Sequence, residues 1–423
     1  MRHLQKPNDL MKKTTYFFLS CALLAGSLLT GCSSDEPAPT PLPEPSYTDL
    51  NLSEAETRAG EGLVSFNNRF FREAMAQYPE GNVSVSPLSA SMLLSIVGNA
   101  VDPELKSQIL SALGSDDLSA LNTLNRRYME VLPALDEKVT MTIANACWYH
   151  NAYTLSPAFS DILTEQYFGA VGSGNFKTDY ENVARDINSW VSEQTRGMIP
   201  VIIDEPSNLA AAYSVLADAI YVKGAWAGPF DRDKTAPAPF YGAESTTTVD
   251  MMNRSDRCYL QGGENFSAIR IPLGIGNYNF TLVLPDEGVT VEQLVASDVH
   301  TQLDFGGAGI VDLYMPRVDF RSETMPLNEI FGRMGVDKLN ELREVSIFTE
   351  PVETRHNIQQ KTAVKFNEEG AEASAVTWDV LETSPGFGTT PEPEVLRADR
   401  PFLFFIDEAS TGAAILWGCI RDL

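Results

Sequence analysis

Few residues in this sequence could carry out acid–base or nucleophilic catalysis. None of its four histidines lies in an HExxH motif or beside a GxSxG serine. Glu368 and Glu369 are adjacent carboxylates, but neighbours on an extended strand point to opposite faces, so a surface hinge is the better interpretation. Two glycine-rich turns, at residues 274–276 and 306–309, lack the lysine or the following helix of a phosphate loop. The sequence therefore predicts a protein that is not an enzyme, and we expect no cofactor and no metal.

A different chemistry is suggested by the long connection between two strand-like segments, residues 362–366 and residues 401–406. The residues between them have no helical period, and a loop of that length in a compact domain is usually functional or disordered. Its first part is rich in small residues, and Ala371, Ala373 and Ala375 recur at period two, on one face of an extended chain. The pattern predicts a potential strand that is held outside a sheet.

The motifs that flank this connection resemble those of the serpin family. Asn367-Glu368-Glu369-Gly370, followed by small residues, is similar to the hinge of a serpin reactive-centre loop, and residues 396–406 resemble the signature beyond that loop. Other segments resemble serpin elements in the family's order: residues 81–89, 139–149, 187–197, 216–226, 249–252, 269–273, 280–287 and 311–316. The resemblance implies one α+β serpin domain over residues 58–423. That fold has a mixed main β-sheet, smaller sheets, about eight or nine helices and an exposed reactive-centre loop, here at about residues 368–396.

The resemblance also implies a mechanism. A serine endopeptidase attacks the loop and forms an acyl-enzyme, and the cleaved segment after Gly370 then inserts into the main sheet and traps the protease. We expect a suicide-substrate inhibitor, with cysteine proteases left open as a further class of target. The alternative is a binding protein on the same scaffold that does not inhibit.

The cleaved bond can be placed in two ways. Counting about fourteen residues from Gly370, as the family pattern does, and avoiding Pro385 gives Thr383–Ser384, which would suit elastase-like or subtilisin-like proteases. Phe387–Gly388 is the alternative and would suit chymotrypsin-like proteases. If Ala371, Ala373 and Ala375 face inward on insertion, Asp379 does too, at a cost of a few kcal/mol unless it is paired.

By the resemblance, three regions control insertion. The hinge comprises Glu368, Glu369, Gly370, Ala371, Ala373 and Ala375; the breach, where the loop enters the sheet, has Trp226; the shutter comprises Ser86, Ser89, Asp218, Gln360 and Lys361. Serpins usually have asparagine at the position of Asp218 and histidine at that of Gln360. A Gln360 amide could donate to an Asp218 carboxylate and so compensate; equally, both could be tolerated polar residues. A buried aspartate needs several donors or a raised pKa.

The N-terminal residues predict export. A basic start, Met11-Lys12-Lys13, precedes an apolar run, and Leu29-Thr30-Gly31-Cys32 resembles a bacterial lipobox. The resemblance implies a signal peptide over residues 1–31, a lipid on Cys32 that anchors the chain to a membrane, and a proline-rich tether to residue 57. We expect an exported lipoprotein in the outer membrane or at the cell surface of a Gram-negative bacterium.

Charge and cysteines narrow the partners further. A formal net charge of −26 repels nucleic acid and heparin-like polyanions, so we expect neither as a ligand, and we expect a monomer. Cys147, Cys258 and Cys419 are widely spaced in apolar segments, which predicts buried free thiols rather than a disulfide framework.

Overall fold

Most of the helical structure lies in the first half of the chain. The structure is a computed structural model and describes residues 47–370 and 393–423. Within these residues the α-helices are α1 (Glu54–Gln77), α2 (Pro87–Gly98), α3 (Pro103–Ala112), α4 (Leu118–Val131), α5 (Pro157–Gln166), α6 (Tyr180–Gln194), α7 (Val291–Ala296) and α8 (Asn328–Arg333).

The strands of the described residues are mostly short. They are β1 (Val83–Val85), β2 (Val139–His150), β3 (Ala170–Gly174), β4 (Ser214–Gly224), β5 (Ala236–Tyr241), β6 (Thr246–Gly262), β7 (Phe266–Leu273), β8 (Tyr278–Pro285), β9 (Gly307–Pro316), β10 (Val318–Arg321), β11 (Met325–Pro326), β12 (Arg343–Val345), β13 (Val352–Thr354), β14 (Gln359–Gln360), β15 (Ala363–Phe366), β16 (Glu394–Arg397), β17 (Phe402–Glu408) and β18 (Ala414–Ile420).

The strands form one large sheet and several small ones. The large sheet has the order β1-β18-β17-β8-β7-β6-β9-β16, with β5 paired to β6, and among the described ladders of this sheet only β9–β16 is parallel. A second sheet has the order β3-β2-β4, and two-stranded sheets pair β10 with β15, β11 with β14 and β12 with β13. This mixture of sheets and helices confirms the expected α+β class.

Two helices show why the sequence folds this way. Ser53 caps α1 through a capping box with Glu56, and the Leu63 and Phe66 side chains on one face of the helix are buried. In contrast, α2 begins at Pro87 after the N-cap Ser86 and is buried on every side, as its mostly apolar sequence with only small polar residues allows. The start of α2 therefore lies inside the protein, where it can contact the sheets.

The C-terminal strands supply much of the core. Residues 402–406 are almost completely buried in β17, between β8 and β18, as their apolar run predicts. Cys147, Cys258 and Cys419 are buried free thiols, which confirms the prediction for them. Burial raises the pKa of the Cys147 and Cys419 thiols to about 12, so both are unreactive near neutral pH.

Burial and regular structure begin before residue 58, where the sequence predicted the start of the domain. Leu50 is buried, Thr48 N donates to Asn277 Oδ1 over 2.6 Å, and α1 begins at Glu54. The described residues all belong to one compact unit. Among residues 47–370 and 393–423, no helix has the length and apolar character needed to cross a membrane. Cys32 and the predicted signal peptide lie outside the described residues.

Candidate functional site

A cleft separates the edge strand β4 from the edge strand β15. β4 pairs with β2 on one side, and β15 pairs with β10, but within the described residues no ladder joins β4 to β15. Their sheets meet at an antiparallel bridge between Ala225 and Gly370, just beyond the end of β4. The cleft has a volume of about 50 Å³. The hinge therefore closes the end of the cleft beside Ala225, which is its upper end in this description. Along the rest of the cleft no strand pairing joins β4 to β15 within the described residues.

The structure brings the five predicted shutter residues together around this cleft. Ser86 and Ser89 come from the start of α2, Asp218 from β4, and Gln360 and Lys361 from the end of β14. Lys361 Nζ lies 3.4 Å from the Asp204 carboxylate, an ion pair at the outer edge. The sequence prediction thus grouped residues that are distant in the chain but adjacent in the fold.

Gln360 does not donate to the Asp218 carboxylate, as the first of the two alternatives for these residues required. Its Oε1 accepts from Ser86 N over 2.9 Å, and its Nε2 donates to Ser86 O over 3.0 Å. Both polar atoms of the Gln360 side chain therefore bond to the backbone of Ser86. The alternative in which Gln360 donates to Asp218 is wrong. A threonine hydroxyl adds a second connection nearby, because Thr362 Oγ1 donates to Ser84 O over 3.0 Å and also contacts Ser84 Oγ. These contacts fasten β14 and the start of β15 to the end of β1.

Asp218 differs from Gln360 and Lys361 because its side chain has no hydrogen-bond partner in the part of the chain that the structure describes. Both carboxylate oxygens are buried, and neither has a hydrogen-bond partner among the described residues. Burial raises the pKa of the Asp218 carboxyl to about 7, although the neighbouring Ser89 hydroxyl offsets part of this effect. Of the two ways in which a buried aspartate could be accommodated, the structure shows the raised pKa rather than a set of donors.

Trp226 forms the breach above the cleft. Its ring is 3% exposed and packs edge-on against Phe230 and Phe280. Its indole Nε1 donates to Asn367 O over 2.7 Å, and its backbone N–H donates to Glu369 O over 3.2 Å. The tryptophan therefore holds the hinge by side chain and main chain together.

Glu368 is held by a cluster that the sequence did not predict. Arg317 approaches both of its carboxylate oxygens at 2.6 to 3.1 Å, and Thr235 Oγ1 donates to Oε1 over 2.6 Å. Burial alone raises the pKa of the Glu368 carboxyl, but hydrogen bonds from Arg317 and Thr235 outweigh it and leave the pKa below its ordinary value. Glu369 forms an exposed ion pair with Arg232. Because Glu368 is 3% exposed, the expectation of a surface hinge is wrong for this residue.

Gly370 has a position that only glycine fits. Its φ is +143°, and a Cβ there would overlap Gly224 O and lie 2.7 Å from Ala225 Cα. The backbone of the hinge thus packs directly against the backbone at the end of β4, and only a residue without a side chain allows this close approach.

Replacement of Gly370 with alanine should detach the hinge from β4. We expect G370A to lose about 1–3 kcal/mol of unfolding free energy, from the strained φ and the backbone overlap. Urea denaturation measures this loss. The matched control is G306A, because Gly306 has no heavy atom within 4 Å of an added Cβ and no positive φ, and it should stay within about 0.5 kcal/mol of the parent. Equal losses in both variants would contradict the close approach.

The remaining predicted residues cannot be compared with the structure. Ala371, Ala373, Ala375 and the two candidate bonds, Thr383–Ser384 and Phe387–Gly388, lie outside the described residues. Among the residues that are described, no group of three or more His, Cys, Asp or Glu side chains could hold a metal ion.

Comparisons with known proteins decide the family. A sequence model described as "Serpin (serine protease inhibitor)" matches residues 61–423. The chain belongs to the serpin family. It is 25% identical to Serpin-ZX of Arabidopsis thaliana, covering 81% of this chain and 92% of the relative, and 27% identical to corticosteroid-binding globulin of Homo sapiens, covering 88% and 92%.

The structure comparison agrees with the family assignment. The native state of tengpin, a thermophilic serpin, superimposes with a TM-score of 0.75 at 24% identity, covering 89% of this chain and 96% of that protein. The chain therefore has the serpin fold. Its relatives include a protein named for binding corticosteroids, so family membership by itself does not distinguish an inhibitor from a carrier.

Proposed function

We propose that this serpin is a suicide-substrate inhibitor of serine endopeptidases. The observation that carries the proposal is the hinge at the top of the cleft: Gly370 is already bridged to Ala225, and no strand ladder joins β4 to β15 within the described residues. A chain that continued from Gly370 along β4 would fill that space as a new strand. The small residues that follow Gly370 in the sequence support this route.

The register of the bridge indicates which side chains would face the core. Since the bridge is antiparallel, continued pairing places Ala371 opposite Gly224, Ala373 opposite Val222 and Ala375 opposite Ile220. The last two of these β4 residues pack against the main hydrophobic core from the cleft side. Alanine needs little space there, whereas Asp379 would fall opposite Leu216 and would have to be desolvated, so we infer slower insertion at that point.

Insertion can supply enough energy to trap a protease. Residues 371–383 would span roughly 43 Å as a strand, at about 3.3 Å per residue. Each new backbone hydrogen bond contributes on the order of 1 kcal/mol net, in addition to packing. The acylated protease would be carried along and its active site distorted before deacylation, so that inhibition is kinetic and consumes the inhibitor.

The proposal also specifies the target protease, the cleaved bond and the location of the protein. We place the bond at Thr383–Ser384, with Phe387–Gly388 as the alternative, and elastase-like or subtilisin-like enzymes as first targets. A lipid on Cys32 would hold the inhibitor at the bacterial surface, where external proteases arrive. Incubation with elastase, subtilisin, chymotrypsin and a papain-like enzyme should give an SDS-stable complex with at least one. Mass spectrometry of the released peptide identifies the bond; nicking without any complex would favour the non-inhibitory carrier.

Cleavage of the loop should also stabilise the serpin. If about thirteen residues join the sheet, we expect the cleaved protein to melt at least roughly 10 °C above the intact one. Differential scanning calorimetry before and after limited proteolysis measures the change. A cleaved form that melts no higher than the intact form would rule out insertion, even if a protease bound the loop.

A further inference from the structure

Asp218 and Asn145 face each other across the β2–β4 pair. They are directly opposite in the antiparallel register, and such residues project from the same face with Cβ atoms about 5 Å apart. Asn145 is 1% exposed, and its Oδ1 is buried without a donor. The two Asp218 oxygens are likewise buried, without partners among the described residues. Three acceptor atoms therefore lie in one region of the core without a hydrogen bond among the described residues, although the Ser89 hydroxyl is close enough to Asp218 to lower the pKa of its carboxyl.

The orientation of Asn145 explains why its oxygen needs a donor from Asp218. Its Nδ2 lies 3.3 Å from Met129 Sδ and 3.5 Å from Tyr167 O, and both of these atoms can only accept. A flipped amide would place its oxygen against two acceptors, so the nitrogen belongs on that side. If Asp218 carries a proton, its hydroxyl can donate to Asn145 Oδ1 and satisfy both residues. An ionised Asp218 adds only further acceptors.

The other charged groups around the cleft do not neutralise Asp218. Lys361, on the β14 side, is paired with Asp204, and Lys365 of β15 lies 3.5 Å from Asp319. On β4 itself, the alternation of the strand turns Tyr221 and Lys223 to the opposite face, and the Tyr221 ring lies beneath Arg196. Ser89, Thr195, Met198 and Ile199 also line the cleft and contribute only hydroxyl, thioether and aliphatic groups. An ionised Asp218 would thus be a buried charge without a counterion.

We propose that Asp218, on the β4 wall of the cleft, is a proton-controlled lock: protonated, it stays buried and can donate to Asn145 of β2, and ionised, it favours separation of β4 from β15, which hydrates the carboxylate. The cleft of about 50 Å³ has room for a water molecule, through which a proton can exchange. The lock acts on the intact sheet and does not depend on whether the protein inhibits a protease.

The pH range of the lock follows from linkage. The carboxyl pKa is raised from 3.8 to about 7 in the folded protein, so the native state binds the proton more tightly than the unfolded chain does. Stability is therefore greatest below about pH 4, falls as pH rises toward about 7, and is constant above that value. Across this window, an open state that hydrates the carboxyl gains up to about tenfold in population per pH unit.

The test compares the intact protein with D218N by hydrogen–deuterium exchange of the β4 and β15 amides, without any protease. An asparagine carries no charge at any pH and can still donate to Asn145 Oδ1, so D218N should stay closed at every pH. Each pair of measurements is made at one pH, which cancels the intrinsic exchange rate. We expect the ratio of the opening constants, parent over D218N, to grow at least about tenfold between pH 5.5 and pH 8. Growth of less than threefold overturns the lock.

A second variant keeps the test decisive should D218N perturb the fold. Ser89 is the neighbour whose hydroxyl lowers the Asp218 pKa, so S89A should move the midpoint of the parent's pH transition upward while keeping its shape. An unmoved midpoint in S89A would assign the transition to another group and contradict the proposal. If the parent protein inhibited no protease but showed the pH transition in exchange, the proposed function would be refuted. The proposed role of Asp218 would still be supported.

Discussion

Under the proposed mechanism, Ala371→Arg is expected to turn the protein from an inhibitor into a substrate, raising the number of serpin molecules consumed per trapped protease at least about tenfold. Ala371 follows the hinge in the sequence, and insertion that continued the register of the Ala225–Gly370 bridge would place it opposite Gly224, on the core side of β4. A guanidinium there must lose its hydration without a partner, which costs several kcal/mol. Since about 1.4 kcal/mol changes a rate tenfold, slower insertion lets deacylation win. Titration of residual protease activity against inhibitor measures the ratio.

The matched control is Glu372→Arg. Glu372 is the next residue, and in an inserted strand the alternation of side chains would turn it to the opposite face, away from the core. The same arginine should therefore leave the stoichiometry within about twofold of the parent. If both variants consumed equal numbers of molecules, the effect would come from charge in the loop rather than from burial. An unchanged stoichiometry in A371R would contradict insertion through this register.

The main elements of the fold could be predicted because they are local patterns. The apolar face of α1 and the run at residues 402–406 each show their burial in their own sequence, and both are buried in the structure. Residues 139–149, singled out in the sequence, form the strand β2, which extends one residue further, to His150. Helix and strand periodicity carries this information directly, while the ends depend on caps such as Ser86.

The hinge and shutter contacts could not be predicted in the same way. Arg317 and Glu368 are 51 residues apart, and nothing near Arg317 in the sequence marks it as the partner. Gln360 has two polar ends, and its chemistry alone allowed a bond to Asp218 as readily as to the Ser86 backbone, which the structure shows. Side-chain pairing over long separations depends on how the sheets are placed, and local propensity does not contain that placement.

Trp226→Ala is expected to cause the largest loss of stability among these variants, about 3–5 kcal/mol of unfolding free energy. The indole is almost fully buried among aromatic rings, so its removal leaves a cavity between β4 and the large sheet. It also removes the donor to Asn367 O, which ties the hinge to the breach. A loss of that size is a large fraction of the stability of a typical domain. Urea denaturation followed by circular dichroism measures it.

Trp226→Phe separates the two roles of the indole. Phenylalanine keeps most of the ring packing against Phe230 and Phe280 but has no N–H for Asn367 O, so we expect a loss of about 1–2 kcal/mol. If the indole donor holds the hinge, the amides of residues 367–370 should exchange faster in W226F, while those of β8 keep their protection. Equal unfolding free energies for W226A and the parent would show that the breach carries little of the native stability. In that case the ion pair of Glu368 with Arg317 would be the contact that keeps the hinge in place before cleavage.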